Sequence, residues 1–274
     1  MQLLKDTPMY QLPTRSWSGA MNMAIDAAMA EFVAERDVGY VRVYGWDPST
    51  LSLGYAQASE TIDWTYCEDH DIDVTRRPTG GGAIYHDGIG DIAYSVVLPR
   101  DAIPSDLTES YQLLCEPVMA VFDELGLDVS FANAASDALH QPACYLRGLS
   151  PAHDLVLQRD GNSRKISGNA QYRTKDAVVQ HGSILFSIDV ETHLGCLSTT
   201  SVTPTSFRER VTSIDEFLTE TRAAVTAQLE SKLKDVFHTL PGELNENEHA
   251  RARSLCEGRF GDPQWVQSGP DQEV

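Results

Sequence analysis

The chain has 274 residues, 42% of them hydrophobic, and 40 acidic against 21 basic residues give a formal charge of −19. That length allows one large domain, or a domain with a small appendage, around a sizeable core, and no apolar run is long enough to span a bilayer. A field this negative repels phosphates, which argues against general nucleic-acid binding.

Only five of the basic residues are lysine. An acidic, lysine-poor, halophilic type of surface fits a high-salt cytoplasm, where salt screens self-repulsion. The first thirty residues lack the basic, apolar and cleavage segments of a signal peptide in order, so a cytoplasmic protein is expected. Five cysteines with no CxxC pair speak against a disulfide framework and a zinc site.

Taken in chain order, a stretch from Ser18 with Met21, Ile25, Ala28, Met29 and Phe32 at helical spacing predicts an amphipathic helix. Alternation in YVRVYGW and in TLSLGYAQ (50–57) predicts two strands. TIDWTYCEDHDID reads as helical, and a strand follows over 92–98. The segment 106–127 predicts a long helix stopped by Gly126. After a loop around 130–152 come paired strands, the first pair turning at Asp160-Gly161. The segment 213–237 predicts a helix with a serine cap and an acidic first turn. The tail beyond Pro241 is polar and predicts a short helix at most. Helices alternating irregularly with short antiparallel strands indicate an α+β layered domain.

Three stretches carry residues suited to chemistry. RRPTGGGAIYHD (76–87) joins two arginines to Gly80, Gly81 and Gly82. Bare glycine amides beside planar cations make an anion cradle, or else the stretch is a tight hairpin with two surface arginines. RKISGNAQYR (164–173) places one of the five lysines, Lys165, three residues before Gly168, where it could neutralise developing charge or remain a solvated hairpin lysine. QHGSILF (180–186) holds His181 beside Gly182; this histidine, like His86, reads as base, ligand or core residue, with Asp87 a possible orienter of His86. Asp154 could bind Mg²⁺ or cap a turn, and Cys144 is the cysteine to keep in view.

The order of NMAIDAAM, WDPSTLSLGYAQ, RRPTGGGAIYHD, RKISGNAQYR and VVQHGSILFSID resembles the lipoate-protein ligase and octanoyltransferase superfamily, whose catalytic domain is shared with biotin protein ligases. The resemblance implies a mixed, mainly antiparallel sheet layered with helices, a catalytic domain over 1–238, and a short extension over 239–274 in place of a full accessory domain. It implies a lipoate-protein ligase that activates lipoate or octanoate with ATP and Mg²⁺ as an acyl-AMP. The acyl group then passes to a lysine of a lipoyl-acceptor domain, such as a 2-oxoacid dehydrogenase E2 or the glycine cleavage H protein. In that reading Lys165 holds the acyl carbonyl and phosphate oxygens, Arg77 and the amides of Gly80, Gly81 and Gly82 add positive potential for the carboxylate and α-phosphate, and the glycine loop lines the acyl tunnel. Tyr85, His86, Asp154, Gly168, Ala170, His181 and Gly182 complete the binding surface, with Asp154 the Mg²⁺ candidate.

Two alternatives accompany it. One branch of the superfamily moves octanoyl from acyl carrier protein without ATP, through a cysteine that Cys144 would match. That branch reads Gly-Gly-Arg where this chain has Gly80-Gly81-Gly82, which favours the ligase. The other alternative is a non-catalytic acyl- or nucleotide-binding subunit of a two-protein ligase, completed by a separate accessory subunit.

Overall fold

A computed structural model describes residues 7–159, 161–198 and 200–270. The chain enters through two short strands, β1 (Met9–Gln11) and β2 (Arg15–Trp17), and helix α1 (Gly19–Arg36). Ser18 caps α1 by accepting from the Met21 amide at 3.3 Å. Its buried face is Met23, Ala24, Ile25, Ala28, Met29 and Val33; Met21 and Phe32, expected on that face, are half-buried flanks. Next come β3 (Gly39–Trp46), β4 (Thr50–Leu53), α2 (Trp64–Asp69), β5 (Asp73–Arg76), β6 (Ile84–His86), β7 (Asp91–Pro99) and α3 (Leu107–Glu124). The stretch expected to be loop opens with a short strand, β8 (Val129–Phe131). A hairpin of β9 (Asp154–Arg159) and β10 (Asn162–Arg173) follows, turning through Gly161 at φ 79°, while Asp160 lies outside the described residues. Then come β11 (Ala177–Leu185), α4 (Val190–Gly195), α5 (Pro204–Arg210), α6 (Arg222–Phe237), β12 (Leu240–Pro241), α7 (Glu246–Leu255) and α8 (Pro263–Ser268).

The main sheet runs β12-β1-β3-β7-β11-β10-β9-β8, with β2 also on β3. From β3 to β8 every neighbour is antiparallel, and β1, β2 and β12 add parallel pairs at one side. A second sheet, β5-β4-β6, stands beside it. This is the expected α+β architecture. Both faces of the main sheet are packed, which is why β3, β7 and β11 are buried throughout. On β7, Ile92, Tyr94, Val96 and Leu98 meet the core under α3 and α6, while Ala93 and Val97 meet α1. A third core under the small sheet joins Leu51, Leu53, Cys67, Tyr145, Cys196 and Phe207.

Two expectations are corrected. Ser213 does not open a long helix. Ile214–Glu216 is a single 3₁₀ turn, because Ile214 is drawn into the core and the Asp215 amide donates to the Phe186 carbonyl at 2.9 Å. Helix α6 begins later, capped by Thr221. The polar tail holds two helices. In α7, Glu248 is fully buried and accepts from Arg36 (2.6 Å) and from the Tyr40 hydroxyl (2.8 Å), tying the helix to α1 and β3.

Arg76 is the last residue of β5 and Arg77 follows it, and the two side chains bind different partners. Arg76, expected beside the glycines to receive an anion, lies away from them. It donates to the carbonyls of Gly54, Tyr55 and Gln57 at 2.7–3.1 Å. It also donates to Trp265, Val266 and Gln267 at 3.1–3.3 Å, capping the last turn of α8 with a cation. No described helix is long and apolar enough to cross a membrane. Arg76→Met removes a donor from all six carbonyls, of which Gly54 and Trp265 keep a backbone amide, and is expected to lower unfolding free energy by at least about 3 kcal/mol. Urea denaturation checks this, and a loss below about 1 kcal/mol would mean that the arginine does not hold the C-terminal helices.

Candidate active site

A cavity of about 220 Å³ opens between the main sheet and the glycine loop. Its chemistry begins with an irregularity in β10. Lys165 pairs with Val156 and Ser167 with Leu155, so Ile166 is an extra residue in the ladder. In a regular strand, residues three apart face opposite ways. The bulge instead puts Lys165, Gly168 and Asp154 on one face, and a Cβ on Gly168 would sit 3.5 Å from the lysine Cε.

Lys165 and Asp154 are each 1% exposed, with Nζ 2.6 Å from Oδ1. Burial alone would raise the Asp154 pKa, but the Lys165 ammonium and the neighbouring His153 outweigh it and hold the carboxyl well below the usual carboxylate range. The other oxygen of Asp154 accepts from the Ser150 amide at 2.7 Å. Both oxygens of Asp154, the Mg²⁺ candidate, are thus engaged by the protein. Among the described residues no group of three or more His, Cys, Asp and Glu could hold a metal.

The same ammonium donates to the Cys144 carbonyl at 3.2 Å and lies 3.9 Å from the Cys144 sulfur. Cys144 is half-buried and lines the cavity. Its segment is pinned from the other side by a parallel bridge between Ala83 and Ala143, in which the Cys144 amide donates to the Ala83 carbonyl at 2.8 Å. Gly82 makes that bridge possible, since a Cβ there would meet the Pro142 carbonyl oxygen at 2.5 Å. Gly82 therefore seats the cysteine segment, whereas Gly80 and Gly81 line the cavity.

Arg77 reaches the cavity wall, but its donors go to the protein. Nη2 donates to the carbonyls of Gly80 (3.0 Å) and Gly82 (2.7 Å), Nη1 to Ser52 O (2.7 Å) and Oγ (3.2 Å), and Nε to Thr79 Oγ1 (3.1 Å). The expected cradle of inward amides is thus partly inverted. Two glycine carbonyls turn toward the arginine, which shapes the loop.

His86 is oriented by Asp91, not Asp87: its Nδ1 bonds the Asp91 carboxylate, its Nε2 lies 2.9 Å from Ser52 Oγ, and its ring stacks on Trp46. Asp87 accepts from the Ile89 amide within its own turn. Tyr85, one residue from His86 on the strand, points out of the cavity toward His193. His181 lines the cavity with Nε2 2.8 Å from Thr79 Oγ1. Burial, with Arg77, His86 and Arg42 nearby, pushes its pKa down to about 3, so the ring is neutral. Gly168, Ala170 and Gly182 form the strand floor. Sequence reasoning missed Arg147 and His153 at the rim, although Arg147 lies only three residues beyond Cys144.

Residues 18–237 match the family model of the lipoyl protein ligase A/B catalytic domain. The chain belongs to that family. It is 32% identical to octanoyltransferase LipM of Brevibacillus brevis over 92% of this chain and 96% of that protein. It is 35% identical to octanoyltransferase LipM of Exiguobacterium sp., over 95% and 98%. Among solved structures, a bi-partite lipoate protein ligase from Thermoplasma acidophilum shares the fold, with a TM-score of 0.80 at 24% identity over 98% of this chain and 99% of that one. A lipoate-protein ligase A bound with ATP superposes with a TM-score of 0.77 at 25% identity, over 95% and 98%. The chain is therefore an enzyme of lipoylation-related acyl transfer, and the cavity is its candidate site.

The Asp154 carboxyl titrates lower in the fold than the ordinary value near 3.9 of an unfolded chain, so its contribution to stability is present above about pH 4 and lost on further acidification. Asp154→Asn leaves Lys165 buried without its counter-charge and is expected to lose about 3–5 kcal/mol at pH 7. The gap between wild type and variant should narrow as pH falls below about 4. Urea titrations at several pH values check this, and a gap independent of pH would contradict the ion pair.

Proposed function

We propose that the protein is an ATP-independent octanoyltransferase acting through Cys144. The sulfur attacks the carbonyl of an octanoyl thioester carried by an acyl carrier protein. A new carbon–sulfur bond forms to Cys144, and the donor's carbon–sulfur bond breaks, its thiol leaving with the proton that Cys144 gives up. A lysine amine of a lipoyl-acceptor domain then attacks the acyl-cysteine, forming an amide and regenerating the thiol. Acceptors of this chemistry are lipoyl domains of 2-oxoacid dehydrogenase E2 or the glycine cleavage H protein.

The observation that carries this reading is the Cys144 sulfur in the cavity wall with the Lys165 ammonium 3.9 Å away. A fixed cation there faces negative charge developing on the sulfur or on the attacked carbonyl oxygen. Held by Asp154 and the Cys144 carbonyl, it needs no reorganisation when that charge appears. The two relatives named octanoyltransferase LipM, matched over nearly their whole length, support the same reading.

The ATP-dependent ligase favoured by the arginine–glycine loop is the second reading, supported by the likeness to a lipoate-protein ligase A bound with ATP. Against it, the donors of Arg77 and both oxygens of Asp154, expected to handle nucleotide phosphate and Mg²⁺, are engaged by the protein. A non-catalytic binding subunit would have no use for a placed thiol.

The test supplies octanoyl carrier protein in one reaction, and ATP with octanoate in another, and follows intact mass. An octanoyl increment on Cys144 in the first reaction alone is expected. It should be absent in Cys144→Ser and at least about 100-fold slower in Lys165→Met. Octanoyl-AMP formation, with Cys144→Ser fully active, would replace the transferase by the ligase.

A further inference from the structure

Arg77 and Arg147 line the cavity and Lys165 lies behind its wall beside Cys144, and the three differ in what they already hold. Lys165 is bonded to Asp154 and to the Cys144 carbonyl, and Arg77 to the glycine loop, Ser52 and Thr79. Arg147 is different. In a chain with 40 acidic residues, no described carboxylate pairs with it. The one hydrogen bond of its guanidinium to a described residue is Nη2 to His153 Nε2, at 3.5 Å.

Its placement is determined by the cysteine segment. The Arg147 amide donates to the Ala143 carbonyl at 2.9 Å and the Leu146 amide to the same oxygen at 3.1 Å, forming one helical turn. Cys144 and Arg147, three apart on that turn, share a side, and both line the cavity. Across from them is Gly81, at φ 97°, a conformation that favours glycine. Arg147 Nη1 and Arg77 Nη2 each lie 3.1 Å from the position a Gly81 Cβ would occupy. A side chain there would meet both guanidiniums, so glycine keeps the space between them open.

Two guanidiniums so near each other in a partly closed site repel. Nearby positive charge from Arg147 adds to burial in depressing the Arg77 pKa. An anion relieves that repulsion. On the octanoyltransferase reading, which this inference rests on, the anion that arises beside Cys144 is the tetrahedral oxyanion. The sulfur gives an electron pair to the carbonyl carbon and the carbonyl π pair moves onto oxygen. The collapse of that adduct expels the donor thiolate.

We propose that Arg147 is a further catalytic residue that donates its free N–H groups to the oxyanion of the Cys144 adduct, Arg77 and Lys165 being held by the protein.

The experiment measures two reactions of Cys144 in the full-length protein. One is single-turnover acylation by octanoyl carrier protein, which passes through an oxyanion. The other is alkylation by iodoacetamide, a displacement that forms none. Arg147→Gln is expected to slow acylation roughly 100-fold or more, and to leave alkylation within about threefold of wild type. Arg147→Lys should show the same split at about one-tenth the wild-type acylation rate, since an ammonium keeps the charge but not the planar fork. It decides the matter if the glutamine variant does not fold. Acylation near the wild-type rate in either folded variant overturns the proposal. So does alkylation falling in step with acylation, because the arginine would then act through the sulfur. A wild-type protein that forms no acyl-Cys144 overturns the transferase reading itself, a result distinct from either.

Discussion

The site depends on a buried charge pair that stability alone would not select. Transferring an ammonium and a carboxylate out of water is costly, and well-packed apolar residues of similar volume often serve as well or better. Asp154 and Lys165 are nonetheless almost fully enclosed, on neighbouring strands, at 2.6 Å. The ammonium also ties the Cys144 carbonyl to the sheet. The pair is thus at once a strand-to-strand link, an anchor for the cysteine segment and a fixed positive potential beside the sulfur. The bulge at Ile166 is what permits this, because it brings Lys165 onto the face of Asp154 and Gly168.

Most other cations of this acidic chain that reach the interior share one use. Arg42 binds Asp26 and the Asn22 carbonyl, Arg76 binds loop and helix-end carbonyls, and Arg77 binds the glycine loop. A run of three glycines has more backbone freedom than any other tripeptide, and ordering it is entropically expensive. A guanidinium bonded to Gly80 O and Gly82 O supplies that order from within the motif itself. The adjacency of arginines and glycines is therefore explained by loop shaping for Arg77 and by helix capping for Arg76, not by one anion-handling surface.

How much was legible follows from this distinction. Hydrophobic spacing reports which face of an element is buried, so α1, α3 and the longer strands β3, β7, β9, β10 and β11 were readable, as was the order of motifs, whereas the short strands β1, β2, β8 and β12 were not. Local capping signals were less trustworthy. Ser213 followed by Asp215 and Glu216 has the appearance of a helix start, yet burial of Ile214 diverts the chain for several residues before Thr221 caps α6. The polar tail predicted a short helix at most because its stabilising partners, Arg36, Tyr40 and Arg76, lie far away in sequence. A residue type states what it can donate, not to whom. That is why the sequence could not show that Arg76 would be bonded to backbone carbonyls, or that Asp154 would face Lys165 and the Ser150 amide. Lys165 could be singled out by its scarcity, but the parity of a bulge cannot be read from spacing, and Arg147 carried no signal beyond its distance from Cys144.

A reactive side chain on irregular backbone needs external support to hold a productive geometry. Cys144 lies between β8 and β9, in a stretch with little regular structure of its own. Yet it is held on several sides. The Ala83–Ala143 bridge fixes it to the glycine loop, and Lys165 fixes its carbonyl to the main sheet. Earlier in the same stretch, Arg210 donates to Ser136 Oγ and the Asp137 carbonyl at 2.8 Å each. The two principal anchors come from the two motifs most prominent in the sequence, the triple glycine and the lysine strand. Their joint presence thus has a mechanical reason as well as a chemical one. Each motif immobilises the thiol from one side, and removing either would leave the sulfur on a loop free to move relative to the cations that its chemistry requires.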